Sequence, residues 1–385
     1  MSFISYPPTN TFTQFIKALR RLTSPKVGLE DQDGVPSTGR DDGIASLYRR
    51  VTLFGTVKLH GSNITVVIEP STVLSPQFQS RNRIITRETD HCDAVATLSR
   101  ISWSILVDEI LRICGTSTFR EIFICGEWAG TGIQKGVAVS LLPRFFAIFN
   151  IRIDDQWVDM RKFATVHAPQ ERVYNVVNFQ TFEVQVDFLE EANGERAYER
   201  MMQYTAEVVE NCPIGIELLK SMEVPAKWLA RQVTTGEGIV WTVVEPTTGP
   251  TLLNFKTKGE QFLATQSSKS VVSIEGDTIG PTGRARAFVD FALGERRFEQ
   301  GIEYLFEMGK DPDKFENVGV FISWVIKDVR KEEEWRLGEK DESGRSPYDY
   351  GVTNGMVKKM VSGRAKAWFM KRIEHELDAG VTNQS

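Results

Sequence analysis

The sequence predicts an α+β chain, strand-rich over its first two thirds and ending in a small all-α part, and three observations carry that prediction. Short runs of strand composition, such as Ile64 to Ile68, Phe145 to Ile153 and the IVWTVV run after Gly238, recur as far as Lys258. Beyond residue 284 the apolar residues change to helical spacing. Between the two lies a Ser/Gly/Thr-rich stretch, Ser267 to Gly283, with the composition of a linker. The chain therefore reads as residues 1–266, a linker 267–283 and a helical part 284–385.

At 385 residues and 41% hydrophobic content the chain can bury a substantial core. No apolar run approaches the roughly 20 residues that span a bilayer. The start MSFISYPPTNTF lacks the basic segment and apolar block of a signal peptide, so an intracellular, cytoplasmic protein without a membrane partner is expected. The balance of 46 basic against 51 acidic residues excludes a protein that coats nucleic acid through bulk charge, while leaving room for a local basic groove. Cys92, Cys114, Cys125 and Cys212 have neither C-x-x-C nor histidine-paired spacing, which argues against a zinc site or a disulfide framework. They are expected to be free and mostly buried. His91, His167 and His375 lack partner spacing for a metal, and only His60, two residues after Lys58, is of interest.

Taken in order, Thr11 to Leu22 places Phe12, Phe15, Ile16 and Leu19 at the spacing of a short amphipathic helix. Leu29 to Gly43 is acidic and rich in Gly, Pro and Asp, an exposed loop without the oxygen-ligand ladder of a calcium hand. Phe54 to Ile68 reads as strand, turn and strand, with Gly61-Ser62-Asn63 at the reversal and Lys58 at the tip of a hairpin. A turn at Ser75-Pro76 precedes Gln79-Ser80-Arg81-Asn82-Arg83, where an arginine could grip phosphate or carboxylate with its forked donors. Ala94 to Cys114 reads as one helix whose core face is Val95, Leu98, Ile101, Ile105, Leu106 and Ile110.

Glu121 to Gly132 is a buried strand that ends on Glu127 and enters a glycine-rich turn; Phe145 to Ile153 is an aromatic strand. Glu195 to Asn211 returns to helical spacing, with Tyr198, Met201, Met202, Tyr204 and Val208 as packing residues. Gly236-Glu237-Gly238 opens a strand, and Thr251 to Lys258 is another in which Lys256 and Lys258 share a face because the side-chain period is two. Two neighbouring cations call for an anion between them. The helical part carries Phe288, Phe291, Ala292, Phe298, Ile302, Leu305, Phe321, Val325, Val329, Val357, Val361 and Trp368 at helical spacing. Arg284, Arg286, Arg296, Arg297, Lys358, Lys359, Arg364, Lys366, Lys371 and Arg372 interleave with them, mostly as solvated helix faces.

Singly, each polar residue has a plain reading: Lys58 as an exposed strand-end lysine, Arg81 as a surface turn, Phe149 as core. As a set they say more. Lys58 in KLHGSN, Arg81 in SRNR, Glu127 in CGEWAG, Phe149 in AIFNI, Glu237 in GEGIV and the pair Lys256 and Lys258 in FKTK resemble, in order and spacing, the motifs of the covalent nucleotidyltransferases, which include polynucleotide ligases and messenger-RNA capping enzymes. His60, where DNA ligases and capping enzymes carry aspartate, and the segment GEWAGTGIQKGV are similar to the RNA ligase 2 family. The sequence departs from the pattern at Asn150, where aspartate is common, and in the acidic loop before Val51; Arg83 competes with Arg81 for the arginine motif.

The resemblance implies a nucleotidyltransferase domain of ATP-grasp-like antiparallel sheets followed by a helical domain that holds RNA ends. It implies an ATP-dependent RNA ligase that uses Mg²⁺ or Mn²⁺, acts as a monomer, and joins the ends of nicked duplex or single-stranded RNA in repair or processing. Lys58 would be the nucleophile, and must shed a proton before it can attack. Lys256 and Lys258 would neutralise the α-phosphate, Glu127 would hold the ribose, Phe149 would stack on adenine, and Arg81 would hold the nucleotide or the RNA end. Glu237 would orient the metal, largely through water, and His60 and Asn63 would position phosphate. A capping-type guanylyltransferase and an inactive RNA-binding descendant of the fold are the alternatives. The helical C-terminal part, in place of a β-barrel, counts against the first, and the complete motif set against the second.

Overall fold

The computed structural model describes residues 3–4, 6–7, 9–23, 50–90, 92–187, 191–222, 224, 233–245, 251–259, 262, 280–341 and 343–382. The acidic loop expected at Leu29 to Gly43, His91, and most of the stretch Ser267 to Gly283 lie outside these residues. The chain divides into two compact units, Met1–Gly259 and Glu260–Ser385.

Two β-sheets build the first unit. In the first sheet the central strands are β1 (Arg50–Lys58) and β10 (Gly238–Glu245), flanked by β9 (Thr181–Asp187) beside β1 and β11 (Asn254–Lys258) beside β10, all antiparallel. The second sheet runs β4-β3-β2-β5-β6-β7, from β2 (Ser62–Ile68), β3 (Gln77–Ser80), β4 (Ile84–Ile85), β5 (Ile122–Ala129), β6 (Phe145–Ile153) and β7 (Gln156–Trp157). A short β8 (Val173–Asn175) lies parallel to β6.

Alternation along these strands separates two faces. Ile64, Val66 and Ile68 of β2 join Ile122, Ile124, Phe146 and Ile148 in the main core, beneath two short helices, α2 (Ala94–Leu98) and α3 (Trp103–Cys114). Asn63, Thr65 and Val67 therefore face the other way, towards the side where Glu127 stands opposite Asn63 in the register of β2 and β5.

Two expectations need correction here. The Lys58 segment is no hairpin: among the described residues β1 pairs only with strands of the first sheet and β2 only with strands of the second, so the turn between them carries the chain from one sheet to the other. Strand composition is the same whether neighbours pair or part, so it could not decide this. Residues 94–114 are not one helix either. The chain breaks between Leu98 and Trp103, and the Trp103 indole Nε1 donates to the Leu98 carbonyl at 2.8 Å across the break. The resulting rotation leaves Ile105 64% exposed instead of in the core.

Helix α1 (Phe12–Thr23) packs on β11, with the Phe15 ring 4.6 Å from that of Phe255 and Phe12 against Tyr198 at 4.8 Å. Helix α4 (Glu191–Glu210) lies against β9, β10 and β11, and α5 (Pro213–Ser221) follows it.

The second unit consists of α6 (Pro281–Ala292), α7 (Glu295–Glu307), α8 (Val318–Glu333) and α9 (Asn354–Thr382) around Phe288, Phe298, Leu305, Phe321, Val325, Val361 and Phe369. Pro281 occupies the first turn of α6, where its missing N–H costs nothing. Of the basic residues expected on solvated faces, Arg297 is wholly buried. It lies 3.3 Å from Asp328 and 3.1 Å from Glu333, so it ties α7 to α8 instead of facing water. Cys125 and Cys212 are buried, Cys92 is half-buried and Cys114 is exposed, so only two of the four thiols match the expected burial. Among the described residues no helix is long and apolar enough to cross a membrane.

Candidate active site

The register of the first sheet brings three charged side chains together. Gly238, the first residue of β10, pairs with Lys58 on one side and with Lys258 on the other. Glu237, one residue earlier, therefore has a lysine on each neighbouring strand. Lys58 Nζ lies 2.6 Å from Glu237 Oε2 and Lys258 Nζ 2.7 Å from Oε1, while His60 Nδ1 is 3.7 Å from Oε2. Gly238 has a φ of +152°, and a Cβ there would sit 2.1 Å from the Thr257 carbonyl oxygen. Only glycine lets β10 begin this close to β11.

Burial and neighbouring charges oppose each other in this cluster. It would raise the Glu237 carboxyl, but Lys258, Lys58 and His60 outweigh it and hold the group well below the usual carboxylate range. Lys258 is pulled down to about 8, chiefly by burial and then by Lys58 and Lys256, against the opposing pull of Glu237. The anion that the two β11 lysines were expected to need is supplied for Lys258 by the protein itself. Lys256 shares the face of Lys258.

The turn into β2 brings in the second sheet. Gly61 N–H donates to Glu127 Oε1 at 2.9 Å. A Cβ on Gly61 would meet the Trp128 carbonyl oxygen at 2.3 Å, so a glycine is required where the crossing chain passes over β5. Burial lifts the Glu127 carboxyl to about 7 although Lys58 and then Arg81 pull it down, which places all three within one electrostatic neighbourhood. Arg81 caps the turn between β3 and β4, exposed to solvent. Arg83 Nη2 donates to the Thr89 carbonyl at 3.0 Å, while Arg81 is the arginine whose charge acts on Glu127. Asn63 is buried opposite Glu127, and its Oδ1 has no partner.

Phe149 is half-buried on β6, beside the irregularity in its pairing with β5, with its ring edge-on to Tyr6 at 5.2 Å. The site face thus gathers Lys58, His60, Asn63, Arg81, Glu127, Glu237 and Lys258, with Phe149 two residues beyond Ala147, the β6 partner of Glu127.

Tyr6 was not singled out from the sequence, since nothing in MSFISYPP marks it. Its buried hydroxyl accepts the Asn150 amide of the second sheet at 2.8 Å and the Asn254 amide of the first at 3.3 Å. At the departure at Asn150 it is therefore the amide that donates to the phenol oxygen. Asn254 was legible in principle, because it precedes Lys256 and Lys258 with the same period of two.

Chemically, the arrangement offers an amine on a strand end, a second ammonium and a buried carboxylate between them. A carboxylate with a raised affinity for protons and an aromatic ring stand on the facing sheet. Among the described residues no group of three or more His, Cys, Asp and Glu side chains converges as a metal cage. A divalent ion at this site would have to be carried mainly by substrate phosphates and water, and Glu237, now engaged by Lys58 and Lys258, would be the carboxylate nearest the lysines to hold it.

A comparison with curated proteins gave no match. Among solved structures the chain is similar to a point mutant of Naegleria gruberi RNA ligase with AMP and Mn, at 13% identity and a TM-score of 0.39, over 68% of this chain and 58% of that one. A second mutant of the same ligase with ATP and Mn gives 13% identity and a TM-score of 0.40 over the same shares, and the ligase with PPi gives 14% and 0.39. The chain spans 58% of the length of these ligases. The RNA ligase family profile matches residues 51–258, more than half of the 385-residue chain and the stretch that holds every motif above, and the chain belongs to the RNA ligase family.

Proposed function

We propose that the protein is an ATP-dependent RNA ligase that works through a lysine-bound AMP on Lys58. The observation that carries the reading is the clasp in which Glu237 holds Lys58 and Lys258 at 2.6 and 2.7 Å, beside Glu127 on the other sheet. Residues 200 positions apart in the chain have no packing reason to bring two ammoniums to one buried carboxylate; an anionic substrate supplies one.

In the first step Lys58 gives its ammonium proton to solvent, its Nζ lone pair attacks the α-phosphorus of ATP to form a nitrogen–phosphorus bond, and the bond from that phosphorus to the α–β bridging oxygen breaks so that pyrophosphate leaves. For this the contact with Glu237 must open, because a nitrogen engaged with a carboxylate cannot present its lone pair to phosphorus. Lys258 and Lys256 are placed to take up the charge that grows on the non-bridging phosphate oxygens. Glu127 accepts the ribose hydroxyls, Phe149 stacks on adenine, and Arg81, His60 and Asn63 hold phosphate oxygens or the incoming RNA end. Mg²⁺ or Mn²⁺ held through Glu237, largely by way of water, would add positive charge at the phosphates. In the second step an RNA 5′-phosphate oxygen displaces Nζ and takes the AMP. In the third a 3′-hydroxyl attacks that 5′-phosphate, and AMP leaves as the phosphodiester forms. The helical unit is read as the surface that holds the RNA ends, in a nicked duplex or a single strand, for repair or processing.

Incubation with α-labelled ATP and Mg²⁺, followed by a denaturing gel and a chase with nicked duplex RNA, tests the reading. ATP-dependent covalent label that chases into sealed RNA supports it. Label from GTP alone points to a capping-type guanylyltransferase. RNA binding without any label leaves an inactive descendant of the fold.

A further inference from the structure

Lys256 and Lys258 project from β11, the outermost named strand of the first sheet, whose outer edge is tied where the Lys256 N–H donates to the Asn10 carbonyl at 3.0 Å; what holds the face away from the lysines is the residue between them. The residue between the two lysines, Thr257, points the opposite way and is buried. Its Oγ1 accepts the Trp241 indole N–H of β10 at 3.0 Å and lies 2.6 Å from the Thr205 Oγ1 of α4. Thr205 Oγ1 in turn donates to the Met201 carbonyl at 2.7 Å. Each hydroxyl has one proton, so the direction of the chain is fixed: Trp241 donates to Thr257, Thr257 to Thr205, and Thr205 to Met201. Trp241, Thr205 and Met201 are 0%, 1% and 0% exposed, so water offers no substitute for any of these bonds.

The same helix supports the other half of the clasp. The Gly236 N–H donates to the Val209 carbonyl of α4 at 3.2 Å, one residue before Glu237. Helix α4 therefore fixes Glu237 through Gly236 and reaches β11 through Thr205 and Thr257.

We propose that Thr257 is a positioning residue, its hydroxyl locking the roll of β11 through the buried chain from Trp241 to Thr205 so that Lys256 and Lys258 stand together on the site face. The proposal rests on the reading that these lysines hold the α-phosphate, and it concerns their placement, not the chemistry itself. Valine at 257 keeps the shape and removes the bond; serine keeps the bond and removes only a methyl group.

The test uses the full chain with Thr257→Val, Thr257→Ser and Thr205→Val. Two quantities are read: the rate of covalent labelling by ATP with its apparent KM, and the acetylation of Lys258 by acetic anhydride in the resting protein, with Lys135 as an exposed reference. The lock predicts that Thr257→Val labels at least about tenfold more slowly with KM changed by less than about twofold, since the loss is in alignment and not in binding. Lys258 acetylation rises about fivefold relative to Lys135, and Thr257→Ser restores both quantities to within about twofold. Should Thr257→Val fail to fold, Thr205→Val cuts the same chain from the helix side and is expected to give the same pair of changes. Wild-type acetylation of Lys258 in both valine variants, or a serine variant as impaired as valine, overturns the lock. If the wild type takes no label from ATP, the ligase reading falls, and the acetylation arm still decides whether Thr257 positions Lys258.

Discussion

Lys58 Nζ stands 2.6 Å from Glu237, and replacing it tests its proposed role as the nucleophile. Lys58→Ala is expected to abolish covalent labelling by α-labelled ATP while the protein stays folded; label retained in that variant would place the nucleophile elsewhere. Phe149, half-buried, is expected to tolerate tyrosine and not alanine in ATP use, because stacking needs the ring face. Equal KM values for the two variants would assign the ring to packing against Tyr6. Lys258 gives the site a pH dependence of definite sign. Held at about 8, it loses its charge as pH rises through that value, and the labelling rate should fall there. Stability moves the other way. Between pH 8 and the ordinary lysine value the unfolded chain binds more protons than the folded one, so this group makes the fold more stable as pH rises. In Lys258→Arg, which does not titrate in this range, the decline above pH 8 should vanish even though the peak rate is lower. A decline that persists unchanged would assign it to another group.

Among the elements, the crossing from β1 to β2 is the most demanding piece of backbone. Gly61→Ala pushes a methyl group into the Trp128 carbonyl oxygen, and urea unfolding should register a loss of roughly 1–3 kcal/mol. A variant as stable as wild type would mean that the crossing relaxes freely. In the helical unit, truncating Arg297 strands the Asp328 and Glu333 carboxylates against a buried surface, and Arg297→Ala should cost about 3–5 kcal/mol in the same assay. The elements also show what the sequence could disclose. Strands β1, β2, β5, β6, β10 and β11 were legible because apolar runs and the period of two report burial on a face directly. Which strands pair was not, since Lys58 to Ile68 has the same composition in a hairpin and in a sheet-to-sheet crossing. The break between Leu98 and Trp103 was hidden too, because Val95, Leu98 and Leu106 keep helical spacing across it. Charge misled at Arg297, where an arginine turns inward to Asp328, Glu332 and Glu333 of α8.

For the whole molecule, the site residues named from the sequence fall within the first unit, because each sits in a motif whose order along the chain mirrors its place on two sheets. Tyr6 lay outside that logic: it reaches the site through tertiary packing alone. If the nucleotide site is complete by Lys258, a chain ended near Ser270 should still take label from ATP and should seal a nicked RNA duplex very poorly, since holding two ends in line supplies several kcal/mol of the barrier. Sealing at the wild-type rate by the shortened chain would confine the RNA site to the first unit. In the full chain, sealing should fall faster with salt than labelling does, because contacts to RNA phosphates release counterions.

The clasp around Glu237 also governs what the resting protein ignores. Inorganic phosphate and other small anions would be drawn to a bare pair of neighbouring ammoniums. Here every such ion must first dislodge a carboxylate that is tethered to the same fold and present at an effective concentration no solute reaches. On the proposed reading a triphosphate, with more charge than orthophosphate, is the anion that displaces it. The site therefore stays available by keeping its own counter-anion in place, and Glu237→Gln should turn free phosphate from a bystander into an inhibitor.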